Sequence, residues 1–395
     1  MKTSRSSSQT TLSVIKKLLP DLKRFREDLH QHPELSWQEF RTTEKIIEFL
    51  KKFGIEEFHR PIETGGWVDF VFQEDAPFIM LRADIDALPL QDSKTVPYRS
   101  KNPGVCHACG HDVHTTIMVG VAAAIHQLQL ILPHNIRVVF QPAEEPIPAG
   151  APKFMEHGVL NGVKYALSQH VDPRLPLGII SLTSGWVNMQ SVRLDLKLKG
   201  AGGHSARPFE TADLIWLASR LVDESYGIIY REFNWLEHPV VLTFTEIHAG
   251  EGYNIIPREL TLTGTLRVTS RSSKNRFLMK FRTLLQQLET ENGVQAEFTR
   301  VEGAPPVLND ENLIRQLQEI ARTAEPSPIT FISDFRSSGG DDFGYYAQEV
   351  PSALVRFGIK TKDDQPPLHN GHFDVPFEVV ELAIRFFLEA IQRLK

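Results

Sequence analysis

The sequence predicts an α/β protein that carries an inserted α+β domain. Over the first 187 residues, apolar strand-like segments alternate with segments of helical periodicity, and the same texture returns after the insert. In between, half-exposed strands with alternating apolar residues surround two helical segments. The first texture is typical of α/β folds and the second of α+β folds. We therefore expect a discontinuous domain of residues 1–187 and 303–395, interrupted by a domain of residues 188–302.

Length and composition agree with this division and exclude several classes of protein. A chain of 395 residues is long for a single core, and its 41% hydrophobic and 23% charged residues are ordinary for a globular protein. The net charge of -6 argues against a nucleic-acid partner. Two cysteines cannot build a disulfide framework, and no apolar run suits a membrane span or a signal peptide. We expect a cytoplasmic protein.

The discontinuous domain begins with two predicted helices, over residues 12–31 and 38–53, whose apolar side chains recur at helical spacing. Pro20 breaks the first helix or opens its second half, and Gly54 is a typical stop after the second. The later elements are predicted in the same way: strands over 68–72 and 78–81, paired as a hairpin or as neighbours, a helix over 115–129, a strand over 135–141, a helix over 152–160, a strand over 165–170 and a last helix over 377–394.

The inserted domain has strands in which every second residue is apolar, as in Val192, Leu194, Leu196 and Leu198. Such strands bury one face and expose the other. The elements predict a βαββα-like unit, with strands over 191–199, 240–247 and 259–268 and helices over 211–227 and 275–291.

Nine residues, 106–114, hold both cysteines of the chain, three histidines and one aspartate. Polar groups of this kind are costly to bury without partners, so the cluster needs a chemical reason. Cys109 and His111 are two residues apart, and both can reach one ion across a tight turn at Gly110. A redox CxxC pair and a solvated polar loop are the alternatives, and the cluster alone does not exclude them.

Other polar residues follow predicted strands of the same domain. Asp84 and Asp86 close one strand, Glu144 and Glu145 follow the next, and His170 ends a third. The carboxyl ends of strands line the site in open α/β sheets, so these side chains are expected to meet. Two adjacent carboxylates repel each other and need a counter-charge, which a metal supplies. An exposed acidic turn and ordinary strand-end solvation are the competing interpretations.

Taken together, the motifs resemble one family, that of the dinuclear metallopeptidases that include aminoacylases, hippurate hydrolases, auxin-conjugate (indole-acetyl-amino-acid) hydrolases and N-acetyl-diaminopimelate deacetylases. The resemblance extends over about residues 20–390, with the motifs in order. The residues that carry it are Arg82-Ala83-Asp84-Ile85-Asp86-Ala87-Leu88-Pro89, Cys106–His114, Phe140-Gln141-Pro142-Ala143-Glu144-Glu145, Gln169-His170, Gly202-Gly203-His204, Asn254-Ile255-Ile256-Pro257 and Leu368-His369.

This resemblance implies a zinc-aminopeptidase-like mixed sheet flanked by helices, with an inserted ferredoxin-like domain that dimerises or acts as a lid. It implies two divalent metal ions, with zinc expected and cobalt, nickel or manganese as alternatives. The implied ligands are Cys109, His111, Glu145, His170 and His369, with the thiolate shared between the ions.

The resemblance also implies roles for five further residues. Glu144 would be the general base and acid, Asp86 the supporting aspartate, and His204 the stabiliser of the oxyanion, often in a partner subunit's site. The positions that would hold the substrate carboxylate are Asn254 and Arg267. On sequence alone, Arg267 could instead be a solvated strand residue, and His204 a surface residue of a glycine turn. A homodimer is implied.

The expected activity is hydrolysis of the amide bond of an N-acyl amino acid or a related small amide. A carboxypeptidase or dipeptidase on the same site is the alternative enzyme, and a non-catalytic metal-binding protein is the alternative of another class. The chain departs from the family pattern at residues 146–150, Pro-Ile-Pro-Ala-Gly where several glycines are usual, and at Cys106, 340–343 and 368–371. These departures leave the expected ligands intact and bear on substrate choice.

Overall fold

The computed structural model describes residues 2–395, with side chains described from residue 9 onward. It divides into two compact units. The first runs to Val187 and resumes over Leu308–Arg336 and Asp342–Lys395, and the second comprises Asn188–Val307 and Ser337–Asp341. The return to the first unit therefore comes at residue 308 instead of 303. The short excursion at 337–341 has no counterpart in the sequence-based division.

The helices and strands of the first unit are, in chain order, α1 (Lys2–Gln31), α2 (Phe40–Lys52), β1 (Gly66–Phe70), β2 (Phe78–Asp84), α3 (His111–Gln127), β3 (Asn135–Gln141), α4 (Gly150–Glu156), β4 (Val163–Pro176), β5 (Ile180–Ser181) and β6 (Gly185–Trp186). The second unit contributes β7 (Gln190–Lys199), β8 (Gly203–His204), a 3₁₀ turn (Pro208–Glu210), α5 (Leu214–Glu232), β9 (Val240–Ala249), β10 (Ile255–Ile256), β11 (Glu259–Val268), α6 (Arg271–Asn292) and β12 (Gln295–Glu302). The first unit then closes with β13 (Leu308–Asn309), α7 (Glu311–Arg322), β14 (Phe331–Ile332), α8 (Gly344–Ala347), β15 (Ser352–Lys360) and α9 (Glu378–Arg393).

The first unit is built on a seven-stranded mixed sheet in the order β1-β3-β2-β4-β15-β5-β14. Strands β3, β2, β4 and β15 are parallel, whereas β1 lies antiparallel to β3. The prediction of a mixed sheet flanked by helices is confirmed. The prediction that the first two strands pair or neighbour each other is wrong, because β3 lies between them. Strand β2 is apolar along most of its length, which suits a central position better than a hairpin.

Helices α3 and α9 pack against this sheet, and α1 packs against both of them. Helix α1 continues through Pro20, so the predicted break there is wrong. An interior proline costs about 3 kcal/mol. The helix offsets this cost by burying an apolar stripe on both sides of Pro20, and each such side chain contributes roughly 1.5–3 kcal/mol. The stripe consists of Ile15, Leu18, Leu22, Phe25 and Leu29.

The second unit has a four-stranded antiparallel sheet in the order β12-β7-β11-β9. Its chain order is βαββαβ if the two-residue strands are left aside, which is the ferredoxin-like arrangement. The alternating apolar residues of β7 and β11 are buried against α5 and α6. The last strand, β12, was missed from sequence because every one of its residues is at least partly exposed. Among the described residues, no helix is both long and apolar enough to cross a bilayer.

Candidate metal centre

The ends of the central strands in the first unit gather the predicted ligands in one place. Cys109, His111 and His170 bring three donor atoms within 4.8 Å of one another, and all three residues are buried. The Cys109 Sγ and His170 Nε2 atoms are 3.4 Å apart. His170 lies inside β4 and not at the predicted strand end, but the pairing of β4 with β2 stops at Ser168. The histidine therefore still projects just beyond the edge of β2.

A tight turn at Gly110 allows Cys109 and His111 to approach each other. Gly110 has a φ of +92°, and a Cβ there would lie 2.5 Å from Val171 Cγ2. Only glycine adopts this conformation without strain and without that clash. Helix α3 begins immediately after it, so His111 is held by a helix while Cys109 is held by the preceding loop.

A second group of donor atoms consists of Cys109, Glu145 and His369, again all within 4.8 Å of one another. His369 Nε2 lies 3.3 Å from Glu145 Oε1. The backbone of His369 has a φ of +59° and its N–H donates to the Ala108 carbonyl at 2.8 Å. The two groups share the Cys109 sulfur, which is the geometry expected of a thiolate between two ions.

Asp86 fixes the orientation of the His111 ring. His111 Nδ1 lies 3.1 Å from Asp86 Oδ1 and 2.9 Å from the Asp86 carbonyl, so this nitrogen carries the proton. The other nitrogen, Nε2, is buried and has no hydrogen-bond partner among the described residues. Histidines that bind metals usually donate their second N–H to a carboxylate in this way. A buried ring nitrogen that has a lone pair and no hydrogen-bond partner suits a metal ion.

His170 is arranged in the same manner. Its Nδ1 donates to the Val171 carbonyl at 2.7 Å, which leaves the lone pair of Nε2 directed towards Cys109. Burial, assisted by the positive charge of Arg356, lowers the pKa of His170 well below its ordinary value. The ring is therefore neutral at pH 7, which is the state that binds a metal ion.

The Cys109 thiol also requires a cation. Burial and the negative charge of Glu145 raise the pKa of Cys109 well above its ordinary value. The thiolate, which is the ligand form, would therefore not exist here at pH 7 without a positive charge beside it. Because thiolate, neutral imidazole and carboxylate together suit divalent ions such as zinc, the residues fit the metal pair that the sequence implied.

His114 and Asp84 form a further cluster with His111 but have other partners. His114 Nδ1 is 2.7 Å from Asp84 Oδ1, and His114 Nε2 accepts from the Val171 N–H at 3.0 Å. Since both nitrogens are engaged, this ring has no lone pair for a metal. Asp112, in the first turn of α3, pairs with Arg26 at 2.9 Å and His30 at 2.7 Å. His114 and Asp112 are therefore held by other side chains and lie next to the candidate ligands without joining them.

Glu144 stands beside the ligands and is held by the turn that contains Asp342. Its Oε1 accepts from the Asp342 N–H at 3.3 Å. Asp342 is buried and in turn accepts from Arg82 Nη2 at 2.5 Å and Gln141 Nε2 at 2.7 Å. A carboxylate oxygen of Glu144 lies within 4.8 Å of a donor atom of His111 and of one of Glu145. A carboxylate in this position can exchange a proton with a molecule held next to the ligands.

The sequence pattern of Peptidase family M20/M25/M40 matches residues 80–393. The chain belongs to this family. N-acetylcysteine deacetylase from Bacillus subtilis is 35% identical over 365 residues, which cover 92% of this chain and 94% of the relative. N-acyl-L-amino acid amidohydrolase from Geobacillus stearothermophilus is 35% identical over 303 residues, 76% of this chain and 82% of the relative.

A solved structure shows the same architecture. The YXEP protein of Bacillus subtilis, described as a dinuclear metal binding peptidase from the M20 family, superposes with a TM-score of 0.83 at 32% identity. The match covers 95% of this chain and 98% of that one. The predicted family is thereby confirmed, and so is the prediction that this M20 chain is a hydrolase acting on amide bonds.

Three predicted site residues of the M20 chain lie in the second unit. His204 is exposed on β8, its Nδ1 accepts from the Ala206 N–H at 3.1 Å, and it pairs with Ile255 next to Asn254. Arg267 lies on β11, where its Nη1 donates to the Ser338 carbonyl at 2.8 Å. The turn with His204 and Asn254 adjoins the Lys199–Glu259 end of the sheet, whereas Arg267 pairs with Ser191 near the other end.

Proposed function

We propose that the chain is a dinuclear metal-dependent amidohydrolase that cleaves N-acyl amino acids. The observation that carries this proposal is the pair of donor groups that share the Cys109 sulfur, with the Glu144 carboxylate beside them. The similarity to an N-acetylcysteine deacetylase and an N-acyl-L-amino acid amidohydrolase supports the choice of substrate class.

In this proposal His111 and His170 serve one ion, Glu145 and His369 serve the other, and the Cys109 thiolate serves both. Zinc suits this mixture of sulfur, nitrogen and oxygen ligands, although cobalt, nickel and manganese also bind such sets. Asp86 is the supporting aspartate that holds His111. A cytoplasmic location fits, because a reducing compartment keeps the Cys109 thiol available.

The ions, when bound, supply a Lewis acid for the scissile carbonyl and lower the pKa of water from 15.7 to about 7. Glu144 accepts the proton of the attacking water. It then carries the proton to the amine that leaves, and its hydrogen bond from the Asp342 N–H keeps the carboxylate in place between the two steps. We propose that His204 donates a hydrogen bond to the developing oxyanion, a contribution typically worth about 10²–10³ in rate.

We propose that Asn254 and Arg267 hold the carboxylate of the amino acid, for which a guanidinium is well suited. Within the second unit, Arg267 lies far from His204 and Asn254, which adjoin each other. Arg267 is eight positions after Glu259, which corresponds to about 27 Å of strand. One copy of the unit therefore cannot offer Arg267 and the His204 turn to the same small molecule.

A homodimer removes this difficulty, because one subunit can supply Arg267 to a given site and the other subunit can supply the His204 turn. The second unit exposes large apolar side chains that a partner could cover, including Ile215, Trp216, Tyr230, Val241 and Ile247. We propose that His204 acts in the site of the partner subunit.

Mixing two inactive variants tests this arrangement. Glu144→Gln and His204→Ala homodimers should each be strongly impaired. In a mixed dimer, one site combines the intact Glu144 of one subunit with the intact His204 of the other, so activity should return to about a quarter of the wild-type value after random exchange of subunits. If exchange is demonstrated with tagged subunits and activity does not return, His204 does not act across subunits.

The substrate class is tested with metal-reconstituted protein and a panel of substrates. The panel contains N-acetyl and N-benzoyl amino acids, dipeptides, and a longer peptide from which a carboxypeptidase would remove the C-terminal residue. We expect kcat/KM to be highest for one of the N-acyl amino acids. A preference for the dipeptides or the peptide would identify a dipeptidase or carboxypeptidase instead. No turnover on any member would contradict the proposed function.

A further inference from the structure

The turn that carries Glu144 and Glu145 has an unusual backbone. Ala143, the residue before the pair, has a φ of +53° and is completely buried. This left-handed conformation is unfavourable for a residue with a side chain, so the surroundings must impose it. The reactive pair thus depends on whatever holds Ala143.

Two hydrogen bonds hold it. The Ala143 carbonyl accepts from the Gly150 N–H at 2.7 Å. The Ala143 N–H donates to Oε1 of Glu39 at 2.8 Å. Gly150 is close enough for a Cβ to lie 1.9 Å from the Pro142 carbonyl oxygen, so one side of the turn is closed by backbone. The other side is closed by the Glu39 side chain.

Glu39 is itself rigidly anchored and completely buried. It precedes α2, and its carbonyl accepts from the Thr43 N–H at 3.0 Å and the Thr43 hydroxyl at 2.6 Å. The Thr43 hydroxyl in turn accepts from the Gly65 N–H at 2.8 Å. Because its backbone is anchored in this way, the Glu39 side chain can hold the Ala143 N–H in a fixed position.

The hydrogen-bond donor to the Glu39 carboxyl group is the neutral Ala143 N–H. Its second oxygen, Oε2, is buried and has no hydrogen-bond partner among the described residues. Burial and the negative charge of Asp86 raise the pKa of Glu39 to about 7. Burying a carboxyl group costs folding free energy. Glu39 makes no side-chain cap bond to α2, so stabilisation of this helix does not explain why an acid is buried here.

We propose that Glu39 is a positioning residue for hydrolysis, acting through the Ala143 amide to hold Glu144 and Glu145 in the reactive arrangement. This inference rests on the proposed function. What matters is an oxygen acceptor at the position of Oε1, so glutamine can replace Glu39 and alanine cannot.

The experiment compares Glu39→Ala with Glu39→Gln in the full-length chain reconstituted with Co²⁺. For Glu39→Ala we expect kcat to fall about 10- to 100-fold, as for a displaced catalytic group, with KM changed less than about threefold. Its cobalt absorption spectrum should also change, because Glu145 follows the same turn. Glu39→Gln should restore most of kcat and the wild-type spectrum.

Glu34→Ala is the matched control, because Glu34 belongs to the same segment and its side-chain carboxylate bonds to the backbone of α2. Its two oxygens accept from the Arg41 N–H at 3.0 Å and the Thr42 N–H at 2.7 Å, at the start of α2. We expect a lower Tm with kcat within about threefold of wild type. An equal loss of kcat in Glu34→Ala would show an effect of the whole helix and overturn the proposal.

Two other results would overturn it: wild-type kcat and cobalt spectrum in Glu39→Ala, or a Glu39→Gln variant as impaired as Glu39→Ala. The cobalt spectrum does not depend on turnover. If the wild-type chain hydrolyses no amide, the proposed function fails, and the spectra of the two Glu39 variants still decide whether this residue positions the pair.

Discussion

Glu144→Gln is expected to lower kcat by about 10²- to 10⁴-fold, the range for loss of a general acid–base, while both metal ions stay bound. The reason is that glutamine keeps an oxygen that can accept from the Asp342 N–H, as Glu144 does at 3.3 Å, but it cannot take up a proton. Steady-state kinetics on the preferred N-acyl amino acid and metal analysis of the same sample measure the two quantities.

The metal content separates the two roles that the geometry allows for Glu144, since its carboxylate also lies near His111 and Glu145. Loss of one ion from Glu144→Gln would make Glu144 a ligand, and activity within tenfold of wild type would contradict its role as the base. Glu156→Gln is a suitable control, because Glu156 is an exposed acid of α4 that pairs with Lys153. Its kinetics should match those of the wild type.

Several residues of the candidate site have a local signal, whereas His369 and the assignment of the ligands came from the resemblance to the family. Cys109 and His111 surround a glycine turn at the start of a helix, and Glu144 follows an apolar strand whose bounds were predicted correctly. His170 was found although its strand continues to Pro176, because the change from apolar to polar residues coincides with the end of the β2 ladder. Strand ends meet in a parallel sheet, so these local signals indicated that the side chains lie close together, and the resemblance supplied their roles.

The parts that were missed depend on contacts between distant residues. Nothing near β1 indicates that its partner is β3, whose residues come some 70 positions later along the chain. The contact between Glu39 and Ala143 spans 104 residues, and neither residue carries a signal for it. Periodicity describes which face of an element is buried, but it does not identify the element that covers that face.

The same limit explains Pro20 and Asp112. A proline inside a helical pattern is a local signal for a break, and it was overruled by the packing of α1 against α3 and α9. Asp112 lies in the first turn of α3, where an aspartate commonly stabilises the helix start, yet its carboxylate pairs with Arg26 and His30 of α1. These pairs link the first turn of α3, which carries His111, to the first helix of the chain.

Cys109→Ala is expected to abolish measurable hydrolysis, a loss of at least about 10³-fold, because one substitution removes a donor from both groups of ligands. We expect the purified variant to retain fewer than two ions, measured by metal analysis. Cys106→Ala is the matched control. Cys106 is completely buried, burial raises its pKa to about 11, and it belongs to none of the metal-competent groups found among the described residues.

Cys106→Ala should therefore keep both ions and lose at most some stability, which thermal unfolding measures. The same variant leaves Cys109 as the one thiol of the chain. A thiol reagent should react with it slowly in the metal-loaded protein and rapidly once a chelator has removed the ions, because a coordinated thiolate is not available as a nucleophile. If Cys106→Ala loses the ions and Cys109→Ala keeps them, then Cys106 is the thiol ligand, and the sharing of one sulfur by two ions must be reassigned.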